Sequence, residues 1–226
     1  LRSGSVSVAA QRCHMSQPAA TQAIAKLEAS MGAPLVLRQP QAFGATPCGA
    51  LFVRRAEAAL DHLQRGAREA RRGTASRARD TAGFERNVTP AQIRALIAIA
   101  GSGSFTVAAR RLGLSQPTVH RAARALEQVA RVPFFKSTVA GVELTAAAQA
   151  FTLGAKLAQA EIRQGMEEIG RELGEDRGIF LLGSLPLART AIGPRATHAM
   201  VSRFAGVQVR VIDGRYHELY TVQARI

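Results

Sequence analysis

From Thr89 onward the apolar residues fall into short runs at helical spacing, divided by small and polar residues. Thr89-Pro90 supplies an N-cap and a first-turn proline, and Ile93, Leu96, Ile97 and Ile99 give an apolar face that stops at Gly101 to Gly103. A shorter helix follows, capped by Ser104 or Thr106, with Val107, Ala108, Ala109 and Leu112 facing inward. Gly113 is expected to make a tight turn, with Leu114 plugging the core beneath it. Ser115 caps a third helix with Pro117 in its first turn, and Val119, Ala122, Ala123 and Leu126 form its stripe as far as Ala130. Val132 to Phe135 and Val142 to Leu144 read as two short strands around a wing at Ser137 to Gly141. Phe151, Ala155, Ala158, Ile162, Met166, Ile169 and Leu173 then recur every three or four residues, the stripe of a long amphipathic helix.

The same pattern occurs earlier in the chain at an unbroken offset of 99 residues, pairing Ser3 with Ser102, Ser16 with Ser115, Glu28 with Glu127, Pro34 with Pro133 and Phe52 with Phe151. Two copies are too few for a solenoid, so each is expected to be a small domain with its own core. The first copy lacks the apolar stretch from Thr89 to Gly101. It repeats the long stripe as Phe52, Ala56, Ala59, Leu63, Ala67 and Ala70. Near Phe52 and Phe151 these stripes pack on their own domains; further along, a small domain cannot cover them and a partner helix is expected. Between the copies, Arg68 to Asn87 reads as a helix end followed by a solvated linker rich in Arg, Gly, Ser and Thr.

From Gly178 the pattern changes. Ile179 to Leu182 reads as a strand, Gly183 to Pro186 as a turn, Ala191 to Phe204 as a helix, Val207 to Ile212 as a second strand and Asp213-Gly214 as a turn. This is one βαβ unit, which needs a parallel sheet larger than the remaining chain. The expected organisation is a first copy over 1–72, a linker over 73–88, a second copy over 89–176 and an incomplete α/β segment over 177–226. Beginning at Leu1 and stopping at Ile226 soon after a new pattern starts, the chain reads as a piece cut at both ends.

Charge narrows the function. Lys and Arg number 30 against 16 Asp and Glu, a net +14, as expected of a protein whose partner carries phosphates. Two helices joined by a short glycine turn, the second opening Ser-Gln-Pro and followed by a wing, make a helix-turn-helix. The outer face of its second helix carries Gln116, Thr118, His120, Arg121 and Arg124, where the first copy has Gln17, Ala19, Thr21, Gln22 and Ala25. Gln and Arg can make paired contacts to base edges, while hydroxyls and helix N-termini grip phosphates. Polar residues on a lone amphipathic helix are usually just solvated; the spacing to the turn and wing reverses that here. The second copy is expected to be the stronger binder. Cys13 occupies the place of Leu112 and is expected to be a small buried apolar residue, and Cys48 has no Cys or His at metal-ligand spacing. No catalytic constellation, metal site or cofactor is expected. No apolar run approaches the roughly 20 residues of a membrane span, and a reduced, cytoplasmic setting fits.

These residues carry a family resemblance. AARRLGLSQPTVHRAARALE with the following VPFF, and AAQRCHMSQPAATQAIAKLEASMGAPLVLR in the first copy, resemble the winged helix-turn-helix of LysR-type transcriptional regulators. The resemblance implies a mainly α fold with small β wings: two winged helix-turn-helix domains with long linker helices, then the truncated start of an α/β, periplasmic-binding-protein-like effector domain. It implies DNA contact by Gln17, Pro18, Thr21, Gln22 and wing Arg38, and by Gln116, Pro117, His120 and Arg121. The residues' own chemistry adds Ser16, Ser115, Thr118 and Arg124, and Lys136 stands next to Ser137, which holds the place of Arg38 in the second wing. Ser184 and Leu185 would border a small-molecule effector site, although a simple turn explains Ser184 equally well. The linker helices would pair two DNA-binding domains, in a homo-oligomer or in an intramolecular pseudo-dimer, with RNA polymerase as a candidate further partner. The duplication departs from ordinary members, which carry one such domain. A recombinase or transposase DNA-binding region and an architectural DNA binder are the rival readings; the first needs a metal-binding carboxylate cluster further on.

Overall fold

The computed structural model describes residues 5–39, 42–72, 83–139, 141–174, 179–184, 192–204 and 208–213. In chain order these form α1 (Val6–Arg12), α2 (Gln17–Met31), β1 (Val36–Gln39), β2 (Ala42–Ala45), α3 (Pro47–Arg71), α4 (Pro90–Ala100), α5 (Phe105–Leu112) and α6 (Gln116–Ala130). There follow β3 (Phe135–Thr138), β4 (Gly141–Leu144), α7 (Ala146–Glu172), β5 (Ile179–Ser184), α8 (Ile192–Arg203) and β6 (Gln208–Asp213). The chain divides into two compact units, one of 55–162 and one of 1–54 with 163–226.

The unit of 55–162 contains the second copy. A capping box opens α4: the Thr89 hydroxyl accepts from the Gln92 N–H at 3.3 Å, and the Gln92 side-chain Oε1 accepts from the Thr89 N–H at 2.7 Å. Ser104, rather than Thr106, caps α5, accepting from the Val107 N–H at 3.4 Å. Helices α4, α5 and α6 close around Ala95, Ile99, Ala108, Ala109, Val119 and Ala123, all buried. Gly113 turns the chain at φ +64°, as expected. Leu114 does not plug the core, and is 49% exposed. Its N–H bonds back to the Ala109 carbonyl at 3.0 Å, and the space is filled instead by Leu112 and Phe105. Val107 is also exposed, because so short a helix turns only a narrow face inward.

A second cluster joins Phe134 and Phe151 to Leu96, Leu126, Val132 and Phe84. Phe84 corrects the expectation of a solvated linker: residues Phe84–Asn87 form a 3-10 turn, and the Phe84 ring lies 5.0 Å from that of Phe151, 2% exposed. One aromatic is enough to pin this end of a polar run; residues 73–82 lie outside the described residues. The wing also differs. The first strand begins at Phe135 rather than Val132, and pairs antiparallel with β4 from Phe135↔Leu144 to Thr138↔Gly141. Val132 and Phe134 are apolar because they fill the core, not because they belong to the ladder.

In the same unit α3 and α7 run antiparallel. Gly66 meets Gly154 and the Ala150 carbonyl, while Arg55 reaches forward to Glu161. A Cβ on Gly154 would stand 2.6 Å from the His62 carbonyl oxygen and 3.0 Å from the Gly66 Cα, so the two backbones approach where neither has a side chain. Ala67 and Ala70 complete the contact beside Phe151.

The unit of 1–54 with 163–226 contains the first copy: α1, α2 and the hairpin β1–β2, paired from Val36↔Ala45 to Gln39↔Ala42. Its core is Ala33, Leu35 and Cys48, joined by Ile169 of α7. Helix α2 has no fully buried residue, and Cys13, expected inside, is exposed. Its counterpart Leu112 belongs to the core that α4 helps to close, and among the described residues no helix occupies that place beside α1 and α2. Val8 and Met15 are exposed, as are their counterparts Val107 and Leu114 in the second copy. Met166 on α7 and Leu173 just beyond it leave the expected stripe and are exposed, whereas Ile169 meets the Ala33–Leu35–Cys48 cluster. Arg54 and Glu168 form an ion pair at 3.4 Å.

Strands β5 and β6 are parallel, in register from Ile179↔Gln208 to Ser184↔Asp213, with α8 between them in sequence. Gly183 and Ser184 thus extend the strand instead of forming a turn, as does Asp213, because backbone pairing continues to the last residue of both strands. Leu185 and Gly214 lie outside the described residues.

Candidate nucleic-acid interface

Two identical devices fix the second helix of each copy to its wing. The Glu127 Oε1 accepts from the N–H groups of Phe134 at 2.8 Å and Phe135 at 3.1 Å. In the first copy the Glu28 Oε1 accepts from Leu35 at 2.9 Å and Val36 at 3.1 Å. Behind the wing, the Thr145 hydroxyl donates to the Pro133 carbonyl at 2.8 Å and accepts from the Ala148 N–H at 3.1 Å. Thr46 repeats this with Pro34 at 2.6 Å and Gly49 at 2.9 Å. None of these four residues was expected to act in this way, although the repeat pairs both the glutamates and the threonines and so contained the signal.

On α6 the buried stripe of Val119, Ala123 and Leu126 leaves Ser115, Gln116, Pro117, His120, Arg121 and Arg124 exposed on the other side, with Thr118 half-buried. The exposed groups are held by one another. Ser115, expected to cap with its side chain, instead shares a hydrogen bond with the Thr118 hydroxyl at 2.8 Å, and Arg121 Nη2 approaches that hydroxyl at 3.5 Å. Thr106 of α5 donates to Oε1 of the exposed Gln116 at 3.2 Å. The His120 ring tilts against Phe105 at 5.1 Å. Arg124 Nη1 is committed to Glu127 Oε2 at 2.7 Å. Lys136 stands exposed on β3.

The first copy offers a quieter surface. Ser16 does cap α2, accepting from the Ala19 N–H at 3.3 Å. Thr21 turns its hydroxyl back to the Gln17 carbonyl at 2.9 Å. Gln17, Pro18, Thr21 and Gln22 are exposed. Arg38 lies on β1 opposite Phe43, its side chain outside the described residues. Ser184 ends β5, and its side chain and Leu185 are likewise outside them. Among the described residues no cluster of His, Cys, Asp and Glu is placed to hold a metal ion, and no described helix is long and apolar enough to cross a membrane.

Comparison with known proteins gives consistent matches. The profile of the bacterial regulatory helix-turn-helix protein, lysR family, matches this chain twice, over residues 1–50 and 90–149. The HTH-type transcriptional regulator GalR of Pseudomonas putida is 29% identical over 210 residues, 92% of this chain and 50% of that protein. ClcR of Pseudomonas putida, also named an HTH-type transcriptional regulator, is 36% identical over 133 residues, 54% of this chain and 45% of the relative. The chain thus spans about half the length of these curated relatives. Among solved structures, the complex of the CbnR DNA-binding domain with DNA is 34% identical over 37% of this chain and 94% of that one, with a TM-score of 0.33, too low for the superposition to bear on the fold. The twice-matched profile and the regulators similar to it place the chain in the LysR family of bacterial helix-turn-helix regulators.

Proposed function

We propose that the chain is a sequence-specific transcriptional regulator that binds double-stranded DNA through α6 and α2 as tandem winged helix-turn-helix elements. The observation that carries this reading is the outer face of α6. Gln116, His120 and Arg121 stand exposed at the start of a helix whose opposite stripe is buried, and Thr106, Thr118 and Phe105 orient them. Donors held in place lose less freedom on meeting a base edge, which favours reading over mere attraction. Lys136 and Arg38 on the wings, with Ser16, Pro18, Ser115 and Pro117 at the helix starts, suit contacts to the phosphate backbone.

In this reading the segment from residue 177 senses a small-molecule effector. The support is the parallel pair β5–β6, with Ser184 at its carboxyl end and Leu185 next, where ligands bind in open α/β sheets. The two copies work as a pair through their long helices, in a cytoplasmic protein with RNA polymerase as a further partner. Selection from random duplexes tests the central claim. Enrichment of a defined sequence, lost when Gln116 and Arg121 are both replaced by Ala, is the expected result. Equal retention of all duplexes would overturn specific reading and leave an architectural role.

A further inference from the structure

We infer that the long helices are coded by charge to pair copy one with copy two, α3 with α7 of the same chain, rather than either helix with its own kind. In the unit of 55–162, Arg55 Nη1 lies 2.8 Å from Glu161 Oε2, and His62 Nε2 lies 3.8 Å from Glu161 Oε1. In the other unit Arg54 Nη2 lies 3.4 Å from Glu168 Oε2. The basic partners come from α3 and the acidic ones from α7.

The 99-residue offset allows each alternative pairing to be built in the same register. If α7 met a second α7, Gly154 would take the place of Arg55, Leu153 that of Arg54 and Glu161 that of His62. The glycine crossing would survive as Gly154 against Gly165, but Glu161 and Glu168 would lose these cations. If α3 met a second α3, Arg55 would face His62 in place of Glu161, Arg54 would face Glu69 in place of Glu168, and Gly66 would meet Arg55 in place of Gly154. The first alternative loses its attraction; the second keeps Arg54 against Glu69 but loses the shielded Arg55–Glu161 pair and the close backbone approach. Only α3 with α7 keeps both. Exposed ion pairs contribute little to stability, but Arg55 and Glu161 are about three-quarters shielded, and opposite placement of like charges is a recognised source of pairing choice.

One chain therefore carries both members of the pair, and it should occupy a two-half-site duplex alone. This last consequence rests on the proposed DNA reading; the pairing itself does not. The test is light scattering on the 226-residue chain, with urea unfolding of charge variants. The expected mass is that of one chain, 24.0 kDa. Reversal by Glu161→Arg with Glu168→Arg should shift the balance of paired over unpaired helices by about tenfold, lowering the unfolding midpoint. Adding Arg54→Glu and Arg55→Glu should restore it. If the reversed variant does not fold, recovery in the fully swapped variant still decides. A parent that is dimeric at every concentration, or a swapped variant no better than the reversed one, overturns the inference. On a selected duplex, one bound chain is expected and two overturn it. A monomer that restores as described yet binds no duplex would sink the DNA reading and leave the pairing standing.

Discussion

His14 and Gly113 stand at the same turn of the two copies, and both have positive φ, 52° and 64°. A side chain in this region costs about 1 kcal/mol, which glycine avoids. His14→Gly should therefore raise the stability of the first copy by about 0.5–1 kcal/mol, and Gly113→Ala should lower that of the second by about 1 kcal/mol. Urea unfolding of the full chain measures both; equal midpoints would mean that the turn relaxes to another conformation. Gly32 and Arg131 form a second such pair at the ends of α2 and α6, at 69° and 52°. Gly113 was legible as a turn from sequence, but His14 was not, because only the repeat register marks that histidine as filling a glycine's place. The same register sets Arg121 of α6 against Gln22 of α2. Arg121 can bond a guanine edge with both arms of its guanidinium, whereas its counterpart Gln22 lies on a helix with no buried stripe. Arg121→Ala is expected to cost about 1–3 kcal/mol of discrimination and Gln22→Ala less, read by selection with each variant. Mutants that keep the parent's preferred sequence would reduce both side chains to a positioning role.

Each wing is tied to the second helix of its helix-turn-helix by one carboxylate. Glu127 accepts two backbone N–H groups with one oxygen and Arg124 with the other, and its side chain is largely shielded. Hydrogen bonds to a charged group contribute about 1.5–3 kcal/mol, and the freed N–H groups would lie half-buried. Glu127→Ala should cost about 3 kcal/mol in urea unfolding, with Glu127→Gln costing less because its carbonyl oxygen still accepts. Equal losses would show that charge, not acceptance, holds the wing. Arg124 follows from this. Its guanidinium is partly committed to Glu127, so Arg124→Ala should weaken binding to all duplexes alike, without the change of preference expected at Arg121. Helices were legible because their stripes repeat at 3.6 residues over several turns, and α4, α5 and α6 appear almost where the pattern puts them. The wing strand was not, since Val132 and Phe134 are apolar for the core and alternation over four residues is too short to separate the two causes.

At the scale of the whole chain the 99-residue repeat was plain, yet the division into units was not. The units part within α3 and α7, at residues 54/55 and 162/163, whereas the repeat places each of these helices whole within one copy. Phe84 escaped notice similarly, one ring in a polar stretch whose partner Phe151 lies far along the chain. Net charge needs no such partner. With Lys and Arg exceeding Asp and Glu by 14, and with Arg121 exposed on α6 and Lys136 on β3, DNA binding as proposed should be dominated by phosphate neutralisation. Each neutralised phosphate releases condensed counterions, so affinity falls as a power of salt concentration. A protein making about 6–10 such contacts loses about 10³–10⁵ in affinity between 50 and 200 mM salt. If both copies lie on one duplex, the slope of log affinity against log salt should reflect contacts from both wings, and Lys136→Ala should reduce it by roughly one. Arg121→Ala should alter which duplex is preferred more than it alters the slope. Titration of a selected duplex and a scrambled one at several ionic strengths separates the two effects, and a flat dependence would mean that the basic surface is not the face that meets DNA.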